Sequence, residues 1–291
     1  SSANVGGDLS LDTKAGNATL TTGTVTGASL VKASGDATIG TLNSVGAATL
    51  TAGGVASATL LKTSGATGNV IVSGARVNLT NVDSSAALTV TGAAGDVSIG
   101  TGKSAGVMTI KTTGVGASAG NISVATSLAS GGATTIDSTG NASLATTTSV
   151  GAVDVKAVGG VQAASLTSTG AGGGITVSSG NANLTAVEAA GALSVTAING
   201  AIVIGTGKAG TTAGLKTDAP NGTDVTVSTS LNSGQASTIT SRGNARLAAV
   251  TATTGDVVVN AVNGEVTGIG VAAANLEATG GKVTVNGGTL A

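Results

Sequence analysis

Gly16-Asn17-Ala18-Thr19-Leu20 returns as Gly35-Asp36-Ala37-Thr38-Ile39, then as Gly140-Asn141-Ala142-Ser143-Leu144, Gly180-Asn181-Ala182-Asn183-Leu184 and Gly243-Asn244-Ala245-Arg246-Leu247. Weaker copies fill the gaps, so register glycines recur about every 20 residues from Gly16 to Gly281. Within many units a second glycine opens another alternating stretch, as in Gly46-Ala47-Ala48-Thr49-Leu50 and Gly191-Ala192-Leu193-Ser194-Val195. The period is two and the residues are Thr, Val, Ala and Leu, which predicts at least two short strands per unit rather than a helical repeat.

A longer period overlies the short one. Ser44-Val45-Gly46 recurs as Ser149-Val150-Gly151, and Ile99-Gly100-Thr101-Gly102-Lys103 as Ile204-Gly205-Thr206-Gly207-Lys208, both at a shift of 105 residues. The chain reads as tandem cassettes, roughly 35–139 and 140–242, with 243–291 partial and 1–34 the remnant of a preceding one.

The alphabet is narrow: 49 glycines, one Pro, one Met, and no aromatic residue, His or Cys among 291 positions. That removes imidazole acid–base chemistry, thiolate nucleophiles, disulfides and N/S metal sites, so no catalytic residue, cofactor or metal ligand is assigned. A net charge of −1 and the lack of stacking rings argue against nucleic acid as a partner. No apolar run is long enough to insert into a membrane as a helix, and Ser1-Ser2-Ala3-Asn4 does not read as a signal peptide.

A 20-residue unit of short strands cannot bury its own apolar face, but stacked units can. The expected fold is all-β: a parallel β-helix of about 14 coils, a rod on the order of 65 Å at ~4.8 Å per coil. Leu20, Ile39, Leu144, Leu184 and Leu247 are expected in one inner column, and Leu50, Val155, Val195 and Val259 in another, with Ala and Thr in tighter places. Asn or Asp after the register glycine is expected to form a polar ladder at the coil corner by bonding local backbone.

These Gly-Asn-Ala-x-Leu coils, with no Cys and a Thr/Ser/Gly/Ala bias, resemble the haemagglutinin-type repeats of filamentous adhesins exported by two-partner secretion. The resemblance covers nearly the whole chain. It implies a right-handed β-helix, extracellular cell-surface display and the role of a structural shaft rather than an enzyme. Expected partners are copies of the same protein stacked end to end, and surface glycans or proteins. Neither terminus reads as a cap, so the chain is expected to be part of a longer protein or a stacking subunit. The alternative is a carbohydrate-active β-helix enzyme, or a glycan- or ion-binding array.

Three carboxylate pairs are close enough in sequence to serve that alternative: Asp83 with Asp96, Asp137 with Asp154, and Asp218 with Asp224. Lys103 recurs as Lys208, Lys111 as Lys216, and Asp83 as Glu188. Such retained charges mark either a repeated contact surface or a solvated face that blocks sheet association. Extra residues at 111–119 and around Thr217-Asp218-Ala219-Pro220-Asn221 read as loops leaving the coil. The acidic residues lack a calcium-binding nonapeptide pattern, and the Thr residues show no common register of the kind an ice-binding face needs.

Overall fold

A computed structural model describes residues 1–220, 222–268, 270–273, 275–285 and 289–290. Of the sequence features above, Asn221 in the second loop and 286–288 and 291 in the final coil lie outside the described residues. The regular structure is nearly all parallel β-sheet, wound as a β-solenoid of about 14 turns with roughly 20 residues per turn. Among the described residues there is no α-helix, and one short 3-10 turn occurs at Gly116–Ser118. The chain divides into two compact units, 1–147 and 148–291.

In the first unit each coil has three faces. The strand Ala18–Val25 supplies the first two, and Ser29–Ala33 the third. Ala18, Leu20, Gly23 and Val25 point inward, while Thr21 and Thr22 both point out; two outward residues in succession bend the strand into a corner without a turn. The first face stacks Leu20, Ile39, Ala58, Leu79, Ile99 and Val124. The third stacks Leu11, Val31, Leu50, Val72, Val90, Ile110 and Ile136. On the second face Leu42, Leu61, Val82, Gly102 and Leu128 follow one another. The Cβ that Gly102 lacks would lie 2.7 Å from Cδ2 of Leu128, so the leucine of the next coil occupies the space above the glycine. An interior this thin is filled without aromatic side chains, by aliphatic columns edged with buried Ser and Thr.

The second unit is built in the same way. Its first face stacks Ala163, Leu184, Ile204, Val227 and Leu247, and its third Val155, Val177, Val195, Leu215, Ile239 and Val259. Every residue expected in the two inner columns, in either unit, is buried. The register glycines Gly74 and Gly160 are displaced: Gly74 ends a third-face strand opposite Gly92, with Ala75 at the corner donating its amide to the Gly54 carbonyl, and Gly160 pairs with Asn181 rather than Gly180.

Serine lines the inner corners, a role the alternation does not announce. Ser44, Ser84, Ser104, Ser138 and Ser241 are buried, and their hydroxyls donate to turn carbonyls, such as Ser44 to Gly27 at 2.8 Å and Ser241 to Asn244 at 2.8 Å. Each hydroxyl is a second donor to a carbonyl that already accepts a backbone amide, as Gly27 does from Gly46 and Asn244 from Val225, so the buried serine oxygen itself is not left unpaired at the bend.

Candidate functional site

The polar corner ladder exists, but it reaches across coils rather than to local backbone. Asn17 Oδ1 accepts the Asp36 amide at 2.8 Å, and Asp36 Oδ1 accepts the Val55 amide at 2.8 Å. Asp96 holds the Asn121 amide at 2.7 Å, Asn121 the Asn141 amide at 2.8 Å, and Asp224 the Asn244 amide at 2.7 Å. The register glycine follows from this geometry. A Cβ on Gly35, Gly140 or Gly243 would run into the Asn or Asp oxygen of the coil before it. The Gly-Asx pair is thus a coil-to-coil device, with the glycine vacating the space that the earlier side chain fills.

The three carboxylate pairs do not act as pairs. Asp83 lies on the second face, in register with Lys62 and Lys103, whereas Asp96 sits at the corner holding Asn121. Asp137 is registered with Lys111 in the first unit, and Asp154 with Thr176 in the second. Asp218 bonds Lys216 at 2.9 Å, while Asp224 faces Arg246 at 3.6 Å and holds Asn244. Each of these partners is a strand neighbour, a cation or a backbone amide rather than a second carboxylate poised as acid or base. Among the described residues no cluster of three potential metal ligands occurs, and no helix is long and apolar enough to cross a membrane.

Lys103, Lys111 and Lys208 stand opposite carboxylates of neighbouring coils, whereas Lys216 bonds Asp218 of its own coil. On the second face of the first unit Lys62, Asp83 and Lys103 succeed one another, with Lys62 Nζ 4.0 Å from Asp83 Oδ2. In the second unit Lys208 bonds Glu188 at 2.7 Å one coil away, with both side chains more than half exposed. Two open recesses of about 300 and 410 Å³ flank this pair and share Thr167, Glu188 and Lys208. Another, of about 410 Å³, lies at Asn244, Arg246 and Glu265. At Asp12 the hydrogen bond from Lys14 holds the carboxyl below its ordinary range against the upward push of desolvation, and the charges of Lys14 and Lys32 add to the lowering.

Both expected loops leave the coil between the third face and the next first face. At 113–121 the exit carries the 3-10 turn, with Val115 79% exposed; the second runs through Ala219 and Pro220 to Asp224. Each is closed at its base by a buried threonine. Thr112 Oγ1 donates to the Gly120 carbonyl at 2.9 Å and accepts the Thr139 amide at 2.9 Å. Thr217 Oγ1 does the same with Thr223 at 3.1 Å and Arg242 at 2.9 Å. A second pair of loops, between the second and third faces, repeats the device. Thr63 donates to Gly68 and accepts the Ser85 amide; Ser168 donates to Gly173 and accepts the Ala190 amide. These clamps were not foreseen, although the 105-residue spacing of Thr112 and Thr217, and of Thr63 and Ser168, is a signal that could have found them.

Threonines do share a register in part, contrary to the expectation. Thr49, Ile71, Thr89, Thr109 and Thr135 form one outer column of the third face, with Thr51, Ser73, Thr91, Lys111 and Asp137 beside it. Alternation hides this register because coil lengths vary. Ile71 and Lys111 interrupt the array. No family model, curated protein or solved structure matches the chain.

Proposed function

We propose that the chain is a structural shaft segment of a secreted, cell-surface filament or large adhesin, acting by mechanical reach rather than turnover. One observation carries the reading: many of the carboxylates able to do chemistry are engaged in bonds from coil to coil. The carboxylates of Asp36, Asp96 and Asp224 hold backbone amides of the following coil, and Glu188 meets Lys208. Repeated ladders of this kind let each coil add a similar increment of stability, which suits a rod whose length is its function. The coil resemblance to filamentous adhesins supports surface display, with copies of the chain and surface glycans or proteins as partners.

The test is antibody labelling of intact source cells before and after permeabilisation. Labelling of intact cells along thin surface fibres supports the shaft; labelling only after permeabilisation removes it. A second reading, a polar ligand array, is favoured by the recesses around Thr167, Glu188 and Lys208. Retention on a glycan array that is lost in Lys208→Met would support it, and equal retention by both proteins would remove it.

A further inference from the structure

At the corners between third and first faces asparagine occurs in two arrangements. At Gly120-Asn121 and Gly243-Asn244 the asparagine oxygen is held by the next coil, and the amide that follows the asparagine is occupied as well. Asn121 Oδ1 accepts the Asn141 amide while the Ile122 amide donates to the Asn141 carbonyl at 2.9 Å. Asn244 Oδ1 accepts the Glu265 amide at 3.0 Å while the Ala245 amide donates to the Glu265 carbonyl at 2.9 Å. Ile198-Asn199-Gly200 and Val262-Asn263-Gly264 reverse the order. Here the asparagine backbone amides donate to Gly180 at 3.0 Å and Arg242 at 3.2 Å, and both asparagine side chains are exposed. Among the described residues nothing accepts the Gly200 or Gly264 amide, and nothing holds either side-chain amide.

The geometry points to Asn199 and Asn263 as sites of spontaneous, non-enzymatic deamidation. The deprotonated Gly200 nitrogen attacks Cγ of Asn199; a C–N bond forms, the bond to the side-chain nitrogen breaks, and ammonia leaves with the proton balance made up by water. Hydrolysis of the resulting succinimide at either carbonyl yields aspartate or isoaspartate. The net reaction consumes one water and releases one ammonia, with no change of oxidation state. Asn263 and Gly264 react in the same way.

The fold keeps this reactive pair in place. A Cβ on Gly200 would lie 2.7 Å from Cβ of Asn181, and one on Gly264 would strike the Gly243 backbone, so neither glycine can be replaced by a shielding residue without a shift of the coil. The product changes the corner in two ways. It adds a negative charge, and isoaspartate inserts a methylene into the main chain between Ile198 and Gly200, just ahead of Ile202 where the first face resumes its register with Ala182.

The test is peptide mapping by mass spectrometry of the folded full chain held at mildly alkaline pH, with enzymatic methylation of isoaspartate as a second readout. Peptides containing Asn199 and Asn263 should each gain one mass unit and accept methyl groups. Asn121, Asn141 and Asn244 should react at least about tenfold more slowly, because there the reaction waits on local opening. Asn221-Gly222 and Asn286-Gly287 share the dipeptide and are scored as separate peptides. Ala245→Gly then places an Asn-Gly pair inside the corner ladder. With the variant's melting curve confirming that it is folded, Asn244 should stay protected and should react once urea unfolds the chain. The proposal is overturned if Asn199 and Asn263 keep their mass as long as Asn121 does, or if Asn244 in folded Ala245→Gly reacts as fast as Asn199.

Discussion

The Cβ that Gly54 lacks would fall on Oδ1 of Asp36, one coil earlier, and the same oxygen accepts the amide of Val55. Space and hydrogen bonding are therefore coupled between residues that are distant in sequence, and the coupling can be measured.

Gly54→Ala alone should cost about 1–3 kcal/mol, since the corner is already filled. Asp36→Ala should cost about 0.5–1.5 kcal/mol for the lost bond to Val55. The double variant should be more stable than the sum predicts, by about 1 kcal/mol, because removing the carboxylate makes room for the methyl. Urea midpoints of the four proteins measure the coupling. Gly6→Ala, where a Cβ meets nothing within 4 Å, serves as the control and should change stability by less than about 0.5 kcal/mol.

Thr217→Val keeps the shape of a buried side chain while removing the hydroxyl that joins the Thr223 carbonyl to the Arg242 amide. A loss of about 1–3 kcal/mol is expected, because the Arg242 amide is left without its partner, while the Thr223 carbonyl keeps the Ser241 hydroxyl and the Gly243 amide. Limited proteolysis should then cut first near Pro220. Unchanged stability and an uncut loop would show that the clamp does not hold the loop base.

Lys208→Met should shift stability by no more than about 1 kcal/mol, since its partner Glu188 is exposed and the pair is screened by solvent. A thermal melt compared at low and high salt reads this out; the wild-type advantage should shrink as salt rises.

Asp12 contributes a pH dependence. Its carboxyl is lowered in the folded chain, so its contribution is present above the unfolded carboxylate value and lost as pH falls through the folded one. Lys14→Ala removes the largest cause, and the Asp12 titration followed by NMR should move upward. No movement would mean that the hydrogen bond from Lys14 does not form.

The solenoid could be read from the sequence because a single physical rule, alternation punctuated by glycine, is repeated in every coil. Leu20, Ile39, Leu50 and Val195 all lie where that rule sends them. The second face was harder to see because the strand turns at Thr21 and Thr22 inside one continuous run of threonines and small residues. The charged residues were legible as recurrences but not as partners. Lys103 stands opposite Asp83, 20 residues away, only once the coils are in register. Gly-Asn could be taken for a local turn, because the oxygen that explains the glycine belongs to the preceding coil.

Register is the premise of the whole account, and the absence of native cysteine makes it directly measurable. Thr38 and Ser57 are outward neighbours on adjacent coils of the first face, with their hydroxyls 3.3 Å apart. Adjacent strands are ~4.8 Å apart, within the ~4.4–6.8 Å Cα separation that a disulfide spans. Thr38→Cys with Ser57→Cys should therefore oxidise to an intramolecular disulfide in the folded chain, while Thr38→Cys with Thr49→Cys, which places the second thiol on the third face, should remain reduced. Cross-linking of the second pair, or failure of the first, would contradict the stacked coil register.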